Sequence, residues 1–192
     1  MDAGATAQQR RMPGEPGIWM FIFGDMLVFS LFFGVYAWYR QEQIAVFAEG
    51  QAHLSQWLGA LNTFFMLSSS WFVASAVQMA RRNRAGACTA GFALGVACAV
   101  GFGIVKYFEW GAKIHAGIGL STSDFFMYYF VFTGIHFMHV IIGGGVLTYM
   151  ALYARSGNFT PAKIRNLESG ASFWHVVDLL WIVLFPLVYV MR

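Results

Sequence analysis

A chain of 192 residues with 58% hydrophobic, 18% aromatic and only 11% charged side chains cannot cover a water-facing surface, for which soluble domains use about 25% charged residues. The net charge of +3 does not point to nucleic acid either, because the cations cluster at the ends of apolar stretches. With no period-two alternation to suggest a membrane β-barrel, the composition leaves an all-α integral membrane protein.

Residues 1–17 are rich in Ala, Gln, Gly and Pro and are expected to form a flexible N-terminal segment, with Pro13-Gly14-Glu15-Pro16-Gly17 setting where the first helix can begin. Crossing a bilayer takes about 20 mostly apolar residues. Stretches at about 18–39, 57–79, 88–111, 125–153 and 171–190 each qualify, so residues 18–192 read as one membrane domain, a five transmembrane helix bundle. The first span is expected to be retained, since its run is too long for a cleaved signal, it holds Asp25 and no small-residue cleavage site follows.

Between spans one and two, residues 41–56 are polar and are expected to carry a helix beyond the bilayer. Cys88 and Cys98 share span three, about 15 Å apart along a helix, too far for a disulfide. Gly91 and Gly95 give that span a small-xxx-small face for close packing. Residues 112–124 end in Ser121-Thr122-Ser123-Asp124, an N-cap signal for span four. Span four is long enough to tilt or to emerge from the bilayer, and Gly134, Gly143, Gly144 and Gly145 lie along it. A loop at 156–169 with Pro161 near its middle then leads to span five.

The loop charges give an orientation. Arg10, Arg11, Arg81, Arg82, Arg84, Arg155, Lys163 and Arg165 fall on one side of five crossing spans, against Arg40, Lys113 and Arg192 on the other. Positive charge favours the cytoplasm, so the N-terminus is expected to be cytoplasmic and the C-terminus periplasmic. Trp19, Trp38, Trp57, Trp110 and Trp174 lie near span ends and read as an interfacial belt, whereas Trp71 and Trp181 lie deeper.

Ionisable residues inside a membrane are costly and need a reason. Asp25 lies about two turns into span one, where it serves either as a proton-accessible or partner-contacting acid or as an acid near enough the headgroups to draw in water. Lys106 and Glu109, three apart on span three, form an intramembrane charge pair. His136 and His139 on span four, and His175 and Asp178 on span five, repeat that spacing. Two histidines on one helix face cannot be opposed axial ligands of one haem, so interhelical polar clamps are the favoured reading, with a haem shared between spans four and five as the alternative. Ser68-Ser69-Ser70 has no nearby base in the sequence, so nucleophilic catalysis is not expected.

Two motifs stand out, Phe173-Trp174-His175-Val176-Val177-Asp178-Leu179-Leu180-Trp181 and the segment from Thr133-Gly134 through His136 and His139 to Gly143. They resemble the W-H-x-V-D-x-x-W signature and the T-G-x-H-x-x-H-V-x-x-G segment of the cytochrome c oxidase subunit III family. Leu61-Asn62-Thr63, Glu109-Trp110 and Glu168 also match in position. The chain lacks the first two helices of the seven-helix form, carries Asp25 where long forms have glutamate, and has Lys106 where a neutral polar residue is usual. A five-helix form with that aspartate is similar to the accessory subunit of bacterial nitric oxide reductase.

The resemblance implies a non-catalytic accessory subunit of a haem–copper respiratory complex in a bacterial inner membrane. It would carry no cofactor and dock on a haem-bearing catalytic subunit I-like protein that holds the haem and the copper or iron. Asp25 would be a lipid-cleft or proton-uptake residue, and Glu109, His136, His139, Glu168, His175 and Asp178 would form interhelical polar clamps. Phospholipid is an expected ligand, and self-association is left open. Two rivals remain: an independent proton or ion conductor using Asp25, Lys106, Glu109 and the histidines, and a small haem-binding electron carrier.

Overall fold

The computed structural model describes residues 16–191, and among these every regular element is helical. The expected flexible segment lies, except for its last two residues, outside the described residues, as do Arg10, Arg11 and Arg192. The elements are α1 (Pro16–Glu42), α2 (Ile44–Ala52), α3 (Gln56–Arg81), α4 (Ala85–His115), α5 (Asp124–Arg155), α6 (Pro161–Phe185) and a π-helical turn (Pro186–Val190). Five are long and apolar enough to cross a membrane, α6 together with its π turn making the fifth. A helix satisfies its backbone N–H and C=O groups internally, as a hydrocarbon environment demands.

The helix starts follow local chemistry. Ser55, Ser123 and Thr160 each accept a hydrogen bond from the backbone N–H three residues on, at Leu58, Phe126 and Lys163. Thr160-Pro161 corrects the expected loop at 156–169. Pro161 is the first helical residue, because a proline there gives up only an N–H that would have no partner anyway. The fifth span therefore begins ten residues before its expected start at 171, and Glu168 is helical. The 41–56 region is likewise not a continuation of α1: the chain turns at Gln43 (φ −126°, ψ 46°) into the separate α2. Between α3 and α4, Asn83 takes a left-handed conformation (φ 57°), and the N–H of Arg84 returns to the carbonyl of Met79 at 2.9 Å.

Helices α3 and α4 form the tightest hairpin. A Cβ on Gly91 would meet Ala76 and the carbonyl of Phe72, and one on Gly95 would meet Val73 and Leu147. The small face read from the sequence is thus the contact that brings α3 and α4 together, and the Ser69 hydroxyl donates across it to the Gly95 carbonyl at 3.1 Å. Helix α6 lies against both α3 and α5, with Trp174 over Gly143 and Met150 over Gly170. Trp174 is fully buried there, which corrects its place in an interfacial belt: the ring fills the gap a glycine leaves. Trp19, Trp38 and Trp57 are exposed, Trp110 is half-buried and Trp181 is in the core.

Helix α1 is attached along one narrow stripe. Its buried apolar residues are Ile22, Phe29 and Tyr36, seven residues apart, while Met20, Phe23, Leu27, Leu31 and Trp38 face outward. The stripe meets α5 through aromatic rings, Phe29 on His139 and both Phe33 and Tyr36 on Phe132.

The C-terminal π turn is held by its own carbonyls. Those of Leu187, Val188, Tyr189 and Met191 accept hydrogen bonds from Tyr36, Gln51, Gln56 and Arg40 at 3.4, 3.1, 3.1 and 2.7 Å. Side chains from α1, α2 and the start of α3 thus supply the donors that a helix end leaves wanting.

Candidate functional site

Three groups of polar side chains sit inside the bundle. The first joins α4 to the π turn. Lys106, fully buried, donates to Glu109 Oε2 at 2.9 Å and to the Tyr189 hydroxyl at 2.6 Å, and that hydroxyl donates to Glu109 Oε1 at 2.8 Å. The three groups close a ring in which both carboxylate oxygens are used. The rings of Trp181, Tyr189 and Tyr129 surround the ammonium at 4.9, 5.2 and 5.4 Å from their centroids, a cage of π faces that suits a cation removed from water. Lys113, one turn beyond Glu109 and also buried, lies over the Tyr129 ring at 5.4 Å from its centroid.

The second group joins α1 to α5. His139 Nδ1 lies 2.8 Å from the Ile135 carbonyl of its own helix, and its Nε2 lies 3.3 Å from Asp25 Oδ1. Asp25 Oδ2 is buried and has no hydrogen-bond partner among the described residues.

The third group joins α6 to its neighbours. His136 Nε2 donates to the Val177 carbonyl at 3.0 Å, with the imidazole packed on Phe102 and Trp181. A carbonyl only accepts, so the proton sits on Nε2 and Nδ1 keeps its lone pair. His175 Nδ1 lies 2.7 Å from the Ser70 hydroxyl on α3, which corrects the expectation that Ser70 has no base nearby. The two are 105 residues apart, a distance sequence spacing cannot span. Asp178, buried one turn along, has the same serine as polar neighbour. At the C-terminal end of α3 Arg81 donates to Glu168 Oε1 through Nε and an Nη, at 3.1 and 2.8 Å, tying α3 to α6. Trp181 Nε1 adds a third link between these helices by donating to Thr63 at 3.0 Å.

The candidates read from the sequence are therefore not gathered at one centre. His136 and His175 point to different helices, and His139 is spent on Ile135 and Asp25. Among the described residues no group of three or more His, Cys, Asp or Glu is placed to hold a metal ion. Sequence reasoning missed Tyr189, Ser70 and the carbonyl-capping set of Tyr36, Arg40, Gln51 and Gln56. Only Pro186 signalled a local break in the last helix.

The family model described as cytochrome c oxidase subunit III matches residues 14–192. That match takes in all five spans and every polar group above. The chain belongs to the cytochrome c oxidase subunit III family. Subunits III are non-catalytic members of haem–copper oxidoreductase complexes of respiratory chains. This subunit III-family chain is 29% identical over 178 residues to cytochrome c oxidase subunit 3 of Synechocystis, covering 91% of this chain and 74% of the relative. It is 26% identical over 175 residues to quinol oxidase subunit 3 of Bacillus subtilis, covering 91% and 85%. It is also 26% identical over 178 residues to heme-copper oxidase subunit I+III of Aeropyrum pernix, covering 90% of this chain but 22% of that one. Subunit III of this family carries no catalytic metal cofactor, and here the intramembrane polar groups bond helix to helix.

Proposed function

We propose that this chain docks on a haem-bearing subunit I-like protein in a bacterial inner membrane, with its N-terminus in the cytoplasm. There it stabilises the catalytic subunit, retains phospholipid beside it and supports proton uptake through Asp25. The observation that carries the docking is the relative named subunit I+III, in which a segment similar to this chain is part of a polypeptide that also bears subunit I. Lipid retention is supported by an apolar groove of about 650 Å³ between α4 and α5, walled by Val100, Ile104, Phe108, Phe137 and Ile141 and floored by Gly144. Its largely apolar lining suits acyl chains. Proton uptake is supported by the Asp25–His139 contact, beside which the second carboxylate oxygen, Oδ2, is buried without a hydrogen-bond partner among the described residues.

Oxygen is the acceptor that the names of the relatives suggest. Nitric oxide is the second candidate, on the ground of the five-span form with an aspartate at position 25. Purification of the tagged chain in mild detergent tests the reading. A haem-bearing membrane protein is expected to co-purify, and the complex is then assayed with each acceptor. The reading fails if the chain purifies alone, if the isolated chain shows a stoichiometric Soret band, or if it conducts protons by itself in liposomes.

A further inference from the structure

The outer coat of the bundle differs from face to face. Between α4 and α5 it is apolar, with Ile104, Phe108 and Ile141 outward, and α1 presents Met20, Phe23, Leu27 and Leu31. Acyl chains can cover those faces, because the side chains named there are apolar.

The seam between α3 and α6 is different. Its half-buried positions are Ser70 and Ala74 on α3 and Glu168, Ser172 and His175 on α6, with Gln78 and Arg81 exposed at its inner end. His175 is at the centre of this seam. Whichever atom holds the proton in its 2.7 Å contact with Ser70, the other imidazole nitrogen, Nε2, remains a donor or an acceptor, and it has no partner among the described residues. Asp178 Oδ1, one turn on and buried, is also without one. Seven residues of helix, about 10 Å, separate His175 from Glu168, whose pairing with Arg81 marks the charged rim. The imidazole therefore faces the hydrocarbon depth, where neither lipid tails nor water offer it a hydrogen bond.

We propose that the α3–α6 seam is the face on which a transmembrane helix of the haem-bearing partner docks, and that this helix places a hydrogen-bonding side chain opposite His175. The proposal rests on the accessory-subunit reading and assigns that role to one face. Ser70, Ala74 and Ser172 are small enough for a helix to approach closely, the rim pair ends the seam with charge, and the imidazole supplies the one directional contact. The α4–α5 groove and the outer face of α1 are left to lipid.

A photo-crosslinking amino acid placed at Leu67 or Leu179, flanking the seam, or at Ile104 or Ile141, flanking the groove, tests this in the purified complex. The four positions are comparably exposed, at 50%, 44%, 53% and 60%, so exposure alone favours neither pair. Adducts with the haem-bearing chain are expected at least tenfold more often from the seam than from the groove. The reverse pattern overturns the seam while leaving the accessory reading intact, and adducts with a second copy of this chain at the seam also overturn it. If no haem-bearing chain co-purifies, both readings fall. Separately, His175→Phe is expected to lower retention of the chain in the complex about tenfold, with His175→Gln restoring most of it. Retention of the Phe variant at the wild-type level would remove the hydrogen bond from the proposal.

Discussion

Asp25 Oδ1 and His139 Nε2 lie 3.3 Å apart with a hydrogen-bonding proton already committed on the far side of the imidazole. His139 Nδ1 donates to the Ile135 carbonyl at 2.8 Å, so a neutral ring has no hydrogen left on Nε2. The contact is then attractive only if a second proton is present, either on Nε2 as imidazolium or on the carboxyl group. A proton held at this contact would join α1 to α5. Asp25→Asn keeps a donor for Nε2 but fixes its protons. It is expected to leave thermal stability within about 1 kcal/mol of wild type while shortening the turnover lifetime of the assembled complex. His139→Phe strands the carboxylate and is expected to cost about 3 kcal/mol. Thermal unfolding in detergent reads the first effect and sustained activity assays the second; equal destabilisation by both variants would show that the shared proton is not what holds the contact.

The Lys106–Glu109–Tyr189 ring makes a different prediction, because every member is buried and each has its partners in place. Removing one charge leaves the other without compensation, whereas removing both does not. Glu109→Gln is expected to lower stability by about 3 kcal/mol. The double variant Lys106→Met, Glu109→Leu should lose less than the single one. Tyr189→Phe removes one neutral link and should cost about 1–2 kcal/mol. A double-mutant cycle on thermal unfolding measures the coupling, and additive losses would mean that the ring is not a unit.

What the sequence made legible was the chemistry that acts over one or two turns. Five spans, the Ser123 cap, the Gly91/Gly95 face and the Lys106–Glu109 spacing all follow from neighbours along one helix. Thr160-Pro161 was misread because a proline between charged residues looks like a loop breaker, although at the first helical position it starts a helix. Partners across helices stayed hidden. Asp25 meets His139, and Ser70 meets His175, only after the bundle has formed. Nothing local in residues 186–191 announced that their carbonyls would be capped by Tyr36, Gln51, Gln56 and Arg40. Trp174 read as interfacial from its distance to a span end, yet the gap beside Gly143 draws it inward.

The loop cations predict an orientation in the membrane. Asn158 lies in the α5–α6 loop with Arg155, Lys163 and Arg165 around it, and Ala116 lies in the α4–α5 loop at the opposite end of the bundle. With more positive charge on the first side, Asn158→Cys should react with a membrane-impermeant thiol reagent only in inside-out vesicles and Ala116→Cys only in right-side-out ones. Native Cys88 is buried and Cys98 half-buried within α4, so both give low background. Labelling of Asn158→Cys in right-side-out vesicles would invert the assignment.

Two glycines of the α5–α6 contact should differ in the opposite sense to their apparent crowding. A Cβ on Gly170 would overlap the Met150 side chain more severely than one on Gly143 would overlap the Trp174 ring, which it meets at 2.7 Å. What decides the cost is which neighbour can move. The Met150 terminus has three rotatable bonds and can swing aside. Trp174 is fully buried, and its ring cannot turn without displacing the packing around it. Gly143→Ala is therefore expected to cost about 1–3 kcal/mol and Gly170→Ala less than about 1 kcal/mol. Thermal unfolding of the two variants in the same detergent makes the comparison. A larger loss at Gly170 would mean that Met150 is held as firmly as the tryptophan, and that the contact between α5 and α6 is rigid along its whole length.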